Sequence, residues 1–303
     1  MLVMVGWRGK PGEKDEPQHA LIGPRLLDNL RANDFPFEEI PDTLDGAKET
    51  IARLIERSLR EKTPVALIVP RNTFAEYESD KDELAQEVLR APGTSFVKAR
   101  RWLSPIGQED LPLSREFTIR HVLEHVKDTD ASVSSLGGNS RELYMIRKEK
   151  GDDLGPNFFC IGAMGHAFAL AHGLALGFPS SRGRVWCIDG DGSFLMHIGN
   201  NAVLAGIGTH SNVVHIVIFN AVYSSTGSQP LMISPDNFLD LAEGLPYRQK
   251  VFVDSVGGLQ AALLAASGGT LIVVVVNDRV SKSLPRPKET VEELRGLFLK
   301  ALA

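Results

Sequence analysis

The sequence predicts an α/β protein of two doubly wound, mostly parallel-sheet domains, the first of them incomplete. Three observations carry that expectation. Apolar runs of strand length alternate with stretches of helical periodicity along most of the 303 residues. Several of those runs end in glycine-bearing turns that lead straight into helices. A charged, proline-bearing stretch with weak apolar periodicity separates an earlier group of elements from a later one.

The earlier group opens with a strand at Leu2–Val5 and a helix over Pro24–Ala32. A second helix over Ala47–Leu59 has Ile51, Leu54, Ile55 and Leu59 as its apolar face, and Val65–Val69 is a buried strand. About three strands and two helices in roughly 70 residues make half a doubly wound domain. The chain enters its first strand at once, with nothing earlier in the sequence to pair that edge. Residues 1–73 are therefore expected to be part of a larger domain. Residues 74–113 read as a linker with a helix at Lys81–Leu89.

The later group, 114–303, runs helix Arg115–Val126, strand Ala131–Ser134, helix Ser140–Arg147, strand Asn157–Ile161 and helix Ala163–Leu176. Strand Val185–Ile188, helix Phe194–Ala205 and strand Val213–Phe219 follow. A helix near Gly257–Ala266, a strand at Leu271–Val276 and a helix over Val291–Ala301 end the chain. Strands joined by helices imply a parallel sheet covered on both faces.

Composition narrows the function. A net charge of −5 gives no reason to expect nucleic acid or an anionic membrane as partner. No apolar run approaches the ~18 residues needed to span a bilayer, and the opening residues lack a signal-peptide pattern. The expectation is a cytoplasmic protein whose two cysteines, Cys160 and Cys187, are buried free thiols.

The chemistry concentrates where strands end. Strand Val185–Ile188 runs into Asp189-Gly190-Asp191-Gly192, and strand Val213–Phe219 ends at Asn220. A strand–helix–strand crossover makes these strands parallel neighbours, so Asp191 and Asn220 converge at the ligand-binding edge of the sheet. With the Val222 carbonyl they form an oxygen set suited to Mg²⁺. Gly190 and Gly192 permit close approach of a phosphate, and Ser193 opens a helix whose N-terminus attracts anions. Two more strand-to-helix turns, Gly137-Gly138-Asn139-Ser140 and Gly162-Ala163-Met164-Gly165-His166, complete a plausible diphosphate cradle. His121 and His125, four apart on a helix, lack a third ligand and read as surface or interface residues; His172 and His197 read as structural residues within helices, and Asn200-Asn201 as solvated helix surface. There is no complete G-x-G-x-x-G after a strand, no Walker A motif, no H-E-x-x-H and no C-x-x-C. On these residues alone, a phosphate-binding α/β protein of another kind stays open.

Gly190–Gly192 followed by Asn220 after 27 residues resembles the thiamine diphosphate binding motif. The stretches GWRGKPGEKDEPQH (Gly6–His19), NSRELY (Asn139–Tyr144), GAMGHAFALAHGLALG (Gly162–Gly177) and STGSQP (Ser225–Pro230) resemble the phosphonopyruvate decarboxylase family. The resemblance implies a first domain that binds the aminopyrimidine and a second that binds diphosphate and metal. Active sites would form between subunits, so a homodimer or homotetramer is implied. Thiamine diphosphate and Mg²⁺ are the implied cofactors, with Asp191, Asn220 and the Val222 carbonyl on the metal. Asn139, Ser140, Gly162, Gly165, Gly190, Gly192, Ser193 and Tyr223 would surround the cofactor, and Met164 would lie beneath it and hold it bent. His166 is a candidate for proton handling. Tyr223, Ser224, Ser225 and Gln229 would border the substrate pocket, and Arg8, Lys10 and Lys14 are cationic candidates in the first-domain loop.

The implied reaction is decarboxylation of 3-phosphonopyruvate to phosphonoacetaldehyde and CO₂. The loop AVYSSTGSQP (Ala221–Pro230) departs from the His-containing loop of phosphonopyruvate decarboxylases and is nearer to that expected in sulfopyruvate decarboxylases. The family's activating glutamate has no match here, since it precedes the strand at which this chain opens; Glu13 and Glu16 lie in a later loop. A longer reading frame, a second chain supplying the missing half-domain, or a non-catalytic cofactor-binding remnant would each account for that.

Overall fold

The computed structural model describes residues 1–75, 112–151, 154–178, 182–207, 212–277 and 284–302. The chain divides into two compact units, Met1–Ser79 and Asp80–Ala303. The stretch read as a linker, with its helix at 81–89, lies almost wholly outside the described residues.

The first unit is a three-stranded parallel sheet of β1 (Leu2–Gly6), β2 (Phe37–Glu39) and β3 (Val65–Val69) in the order β1-β3-β2. Helix α1 (Leu26–Ala32) follows a 3₁₀ turn at Gly23–Arg25, and α2 (Leu44–Glu61) is capped by the Thr43 hydroxyl, which accepts from the Gly46 N–H. The buried ridge of α2 is Thr50, Leu54 and Ser58, which corrects the expected face. Ile55 is 44% and Leu59 74% exposed. The Ser58 hydroxyl donates to the Thr63 carbonyl at 2.7 Å, and this bond helps set the rotation of the helix. β2 was not named from sequence; its three residues are too few to show alternation.

The second unit contains α3 (Arg115–His125), β4 (Ala131–Ser134), α4 (Gly138–Glu149), β5 (Asn157–Phe159), α5 (Ala167–Gly177) and β6 (Val185–Gly190). Then come α6 (Asp191–Met196), α7 (Ile198–Ile207), β7 (Val213–Phe219), the short antiparallel pair β8 (Val222–Tyr223) and β9 (Gln229–Pro230), and α8 (Pro235–Glu243). β10 (Gln249–Val253), α9 (Val256–Ala265), β11 (Thr270–Val275) and α10 (Val291–Leu302) complete it. Six strands pair in parallel in the order β10-β11-β7-β6-β4-β5. Along β7, Val214, Ile216 and Ile218 enter one core cluster while Val213, Val217 and Phe219 enter the other. That division is why this strand reads as a continuous apolar run rather than an alternation. The α/β class with mostly parallel sheets is as the sequence predicts.

The strand order positions the site. From β4 the chain moves outward to β5, whereas from β6 it moves the other way to β7. The carboxyl ends of β4 and β6 therefore flank a point where the winding reverses, and a crevice opens there.

Several boundaries differ from the sequence reading. α4 begins at Gly138, not Ser140. α5 begins at Ala167, not Ala163, because Ala163 and Gly165 have φ of 56° and 85°, outside any right-handed helix. The helix expected over Phe194–Ala205 starts at Asp191 and breaks at His197, where φ is −130°. Asn201, expected on a solvated surface, is 1% exposed: its amide donates to the Phe194 carbonyl at 2.8 Å across that break. His197 thus sits at a helix junction rather than within a helix, while His172 is buried inside α5. His121 and His125 each place Nδ1 2.9 Å from the carbonyl four residues earlier, and among the described residues no group of three or more His, Cys, Asp or Glu that could hold a metal includes them. Cys160 and Cys187 are buried free thiols, as expected, and burial pushes Cys160 up to about 12. No helix among the described residues is long and apolar enough to cross a membrane.

Candidate functional site

The cavity at the winding reversal is built from three strand ends. Asp191 follows β6 directly, opens α6 and is 4% exposed. Its Oδ1 accepts the Gly192 N–H at 2.7 Å, and its Oδ2 accepts the N–H groups of Asn220 at 2.9 Å and Ala221 at 2.7 Å. Two residues that are 29 positions apart thus meet at one sheet edge. The turn that brings both N–H groups onto the carboxylate needs Ala221 at φ 59°. A left-handed alanine costs about 1–2 kcal/mol, and the two charge-assisted bonds offset it.

Burial pushes the Asp191 carboxyl up to about 6, outweighing the three N–H donors that pull it down. No lysine or arginine among the described residues bonds it. A buried carboxylate with an amide side chain and a peptide carbonyl close by is a hard-oxygen set without its own counter-charge, and it fits a divalent cation. Among the described residues no cluster of three or more His, Cys, Asp or Glu side chains suits a metal.

Around this point the glycines act by lack of bulk. A Cβ on Gly192 would lie 2.4 Å from the Tyr223 ring, and one on Gly190 would lie 3.4 Å from the Asn139 amide. The Asn139 amide donates to the Ser135 hydroxyl at 2.9 Å, which holds it at the end of β4. The Ser193 hydroxyl accepts the Gly165 N–H at 3.1 Å and ties the turn before α5 to the start of α6.

Of the residues singled out from sequence, Asn139, Met164, Gly190, Asp191, Gly192 and Ser193 line the cavity. So do Asn220, Val222, Tyr223, Ser224 and Ser225. Five others do not. The Ser140 hydroxyl turns inward to the carbonyls of Ser135 at 2.8 Å and Cys160 at 3.2 Å. Gly162 and Gly165 belong to the turn behind Met164. His166 is exposed, with Nδ1 3.1 Å from the Met164 carbonyl and its ring against His197 at 4.4 Å. Gln229 is exposed and bonded to Thr226. In the first unit, Arg8 is bonded to Asp15, and Lys10 is bonded to Glu39 at 2.7 Å with its ammonium over Trp7, so both are engaged internally.

Sequence reasoning missed Arg115, which lines the cavity and pairs with buried Glu142. Both lie on helices far apart in sequence, and only the SREL stretch Ser140–Leu143 hinted that Glu142 sits near the site. It also missed the buried series Asp189, His215 and Tyr247 beneath the cavity floor.

The family model described as "Thiamine pyrophosphate enzyme, C-terminal TPP binding domain" matches residues 146–286, which include Asp191, Asn220 and Val222. A phosphonopyruvate decarboxylase of Streptomyces viridochromogenes is 33% identical over 302 residues, covering 98% of this chain and 71% of the relative. The chain belongs to the thiamine diphosphate-dependent decarboxylases. Membership excludes an unrelated phosphate-binding α/β protein and makes the chain a carboxy-lyase of a family that uses thiamine diphosphate with Mg²⁺. A phosphonopyruvate decarboxylase of Streptomyces hygroscopicus is 32% identical over 98% of this chain and 70% of that relative. The sulfopyruvate decarboxylase subunit beta of Methanococcus maripaludis is 29% identical over 63% of this chain and 99% of that relative. For a thiamine diphosphate-dependent decarboxylase, the lining and the hard-oxygen set are of the right kind: helix N-termini and small residues for a diphosphate, carboxylate and amide for its metal.

Proposed function

We propose that this chain decarboxylates 3-phosphonopyruvate to phosphonoacetaldehyde and CO₂. In that reaction the bond between the carboxylate and the keto carbon breaks, CO₂ leaves, and a proton takes its place. The observation that carries this reading is the likeness to two phosphonopyruvate decarboxylases along 98% of the chain. Thiamine diphosphate supplies the sink for the electron pair that CO₂ leaves behind. Asp191, Asn220 and the Val222 carbonyl would hold Mg²⁺, and the N-termini of α4 and α6 with Asn139 would face the diphosphate. Met164 would support the rings of the cofactor. Ser224 and Ser225 offer hydroxyl donors to a charged tetrahedral group on the substrate.

Sulfopyruvate is the second reading. It is favoured by the loop Ala221–Pro230 and by relatives named sulfopyruvate decarboxylase subunit beta. Those names also support an assembly with a partner chain, beside the homodimer or homotetramer that the family pattern implies. The test is aldehyde formation by the purified chain from phosphonopyruvate and sulfopyruvate in parallel, with and without thiamine diphosphate and Mg²⁺. Product from phosphonopyruvate that needs both cofactors is expected. Product from sulfopyruvate alone replaces the substrate, and none from either, with the cofactor demonstrably bound, favours the non-catalytic remnant.

A further inference from the structure

Arg115 is the first residue of α3 and is 8% exposed, yet it lines the cavity. Among the described residues lining that cavity it alone carries a positive charge. Its guanidinium is held as a fork. Nε and Nη2 donate to Glu142 Oε2 and Oε1, each at 2.9 Å, and Nη1 donates to the Ser224 hydroxyl at 3.3 Å. Glu142 is 2% exposed on α4, so the carboxylate is fixed and the fork with it.

The third support is a missing side chain. A Cβ on Gly138 would lie 2.1 Å from Nη1 and 2.3 Å from Cζ. Glycine at the first residue of α4 therefore lets the guanidinium rest against the helix N-terminus, where N–H groups already gather positive potential. A guanidinium has five N–H donors. Three are used, which leaves one on Nη1 and one on Nη2. A helix-to-helix ion pair needs neither the glycine nor a place on the cavity wall, so pairing alone does not account for this arrangement.

We propose that Arg115 is an oxyanion-binding residue: Glu142 fixes the fork, and its remaining N–H edge takes an oxygen of a tetrahedral phosphorus group in the cavity. Two sources share that chemistry, the terminal phosphate of thiamine diphosphate and the phosphonate of the substrate. The second source rests on the substrate proposed above; the first does not.

The experiment is calorimetric titration of the whole chain with Mg²⁺ and, in turn, thiamine diphosphate, thiamine monophosphate and inorganic diphosphate, followed by phosphonopyruvate on the loaded protein. Arg115→Gln alone strands Glu142 as a buried charge, a strongly destabilising change, so the working variant is Arg115→Gln with Glu142→Gln. Gly138→Ala is the second, since it keeps the charge pair but displaces the guanidinium. Thermal melts establish that both are folded. If the terminal phosphate is the ligand, both variants lose tenfold or more in affinity for thiamine diphosphate and inorganic diphosphate and less than threefold for thiamine monophosphate. If the phosphonate is the ligand, cofactor affinities hold and phosphonopyruvate binding weakens tenfold or more. Folded variants that bind every probe within twofold of wild type overturn the proposal, as does a wild-type chain that binds no phosphorus oxyanion. A wild-type chain that binds inorganic diphosphate but neither binds nor turns over phosphonopyruvate overturns the substrate reading and leaves Arg115 to be judged on the diphosphate titrations.

Discussion

Asp191 anchors the loop after β7 and is the carboxylate proposed for the metal, and the two roles predict separate losses. Replacing it by alanine leaves the N–H groups of Asn220 and Ala221 without their acceptor, at about 1–3 kcal/mol per buried orphan. Asp191→Ala is therefore expected to melt earlier and to lose at least a hundredfold in Mg²⁺-dependent thiamine diphosphate affinity; unchanged affinity in a titration sinks the metal assignment. The pH behaviour has a definite sign. With the carboxyl up to about 6 in the metal-free protein, Mg²⁺ must displace a proton below that pH. Affinity should be level above about pH 7 and fall roughly tenfold per unit below about pH 6. Melts with and without Mg²⁺ should show a large gain at pH 7.5 and little at pH 5, and equal gains would place the metal elsewhere. Met164 lines the cavity without bonding any ligand atom in the metal set, so Met164→Ala should lower kcat while leaving cofactor affinity within a few-fold.

At the scale of elements, β6 and β7 end at the residues proposed for the metal and are locked together below them. His215 lies in the middle of β7, fully buried, with Nδ1 2.7 Å from the Tyr247 hydroxyl and Nε2 3.4 Å from Asp189 Oδ2. Its ring stacks on Phe168 at 4.2 Å. The shorter bond decides the energetics. His215→Phe keeps the stack but orphans the Tyr247 hydroxyl, and should destabilise by about 1–3 kcal/mol. Adding Tyr247→Phe should recover part of that loss, a coupling that a denaturant double-mutant cycle reads directly; strictly additive losses would show the bond to be idle. Nothing in the one-dimensional pattern marks His215 as polar core, because a lone histidine in an apolar run looks like any interruption. The neighbouring features were legible for physical reasons. Buried parallel strands such as β6, β7 and β11 appear as apolar runs, and the convergence of Asp191 with Asn220 follows from crossover geometry. Asp189, in the same turn, was given no role from sequence and is structural in its contacts, its carboxylate lying against His215 and the Gly190 N–H. α8, β10 and the β8–β9 pair were missed because they are short or amphipathic segments set by what packs on them. Arg115 escaped because its place depends on Glu142 and Gly138, contacts that only the fold creates.

The two units differ in how firmly they are built, and acid should separate them. The second unit encloses its sheet between two large clusters, whereas the first relies on Ile40, Leu54, Val65 and Leu67 on one side of its sheet and Trp7, Ala66 and Ile68 on the other. Local stability follows such burial, so amides of β1 and β3 should exchange before those of β6, β7 and β11. Charge sharpens the contrast. Asp15 is held well below the usual carboxylate range, chiefly by its bond to Arg8 and further by the N–H groups of Glu16 and Gly9. A lowered folded value means stability that is fully present above the ordinary carboxylate range and lost progressively as pH falls below it toward the much lower folded value. Asp191 has the opposite sign: without metal, its raised value makes acidification from about 6 toward 4 favour the folded second unit at that group. Hydrogen-exchange protection factors measured from pH 7 down to about pH 2 should therefore fall first in residues 1–75, while β6 and β7 hold. Asp15→Asn should lower protection of the first unit at pH 7 and flatten its acid dependence. Loss of protection in step across both units, or an acid profile that Asp15→Asn leaves unchanged, would show that the Asp15 contacts do not hold the first unit together.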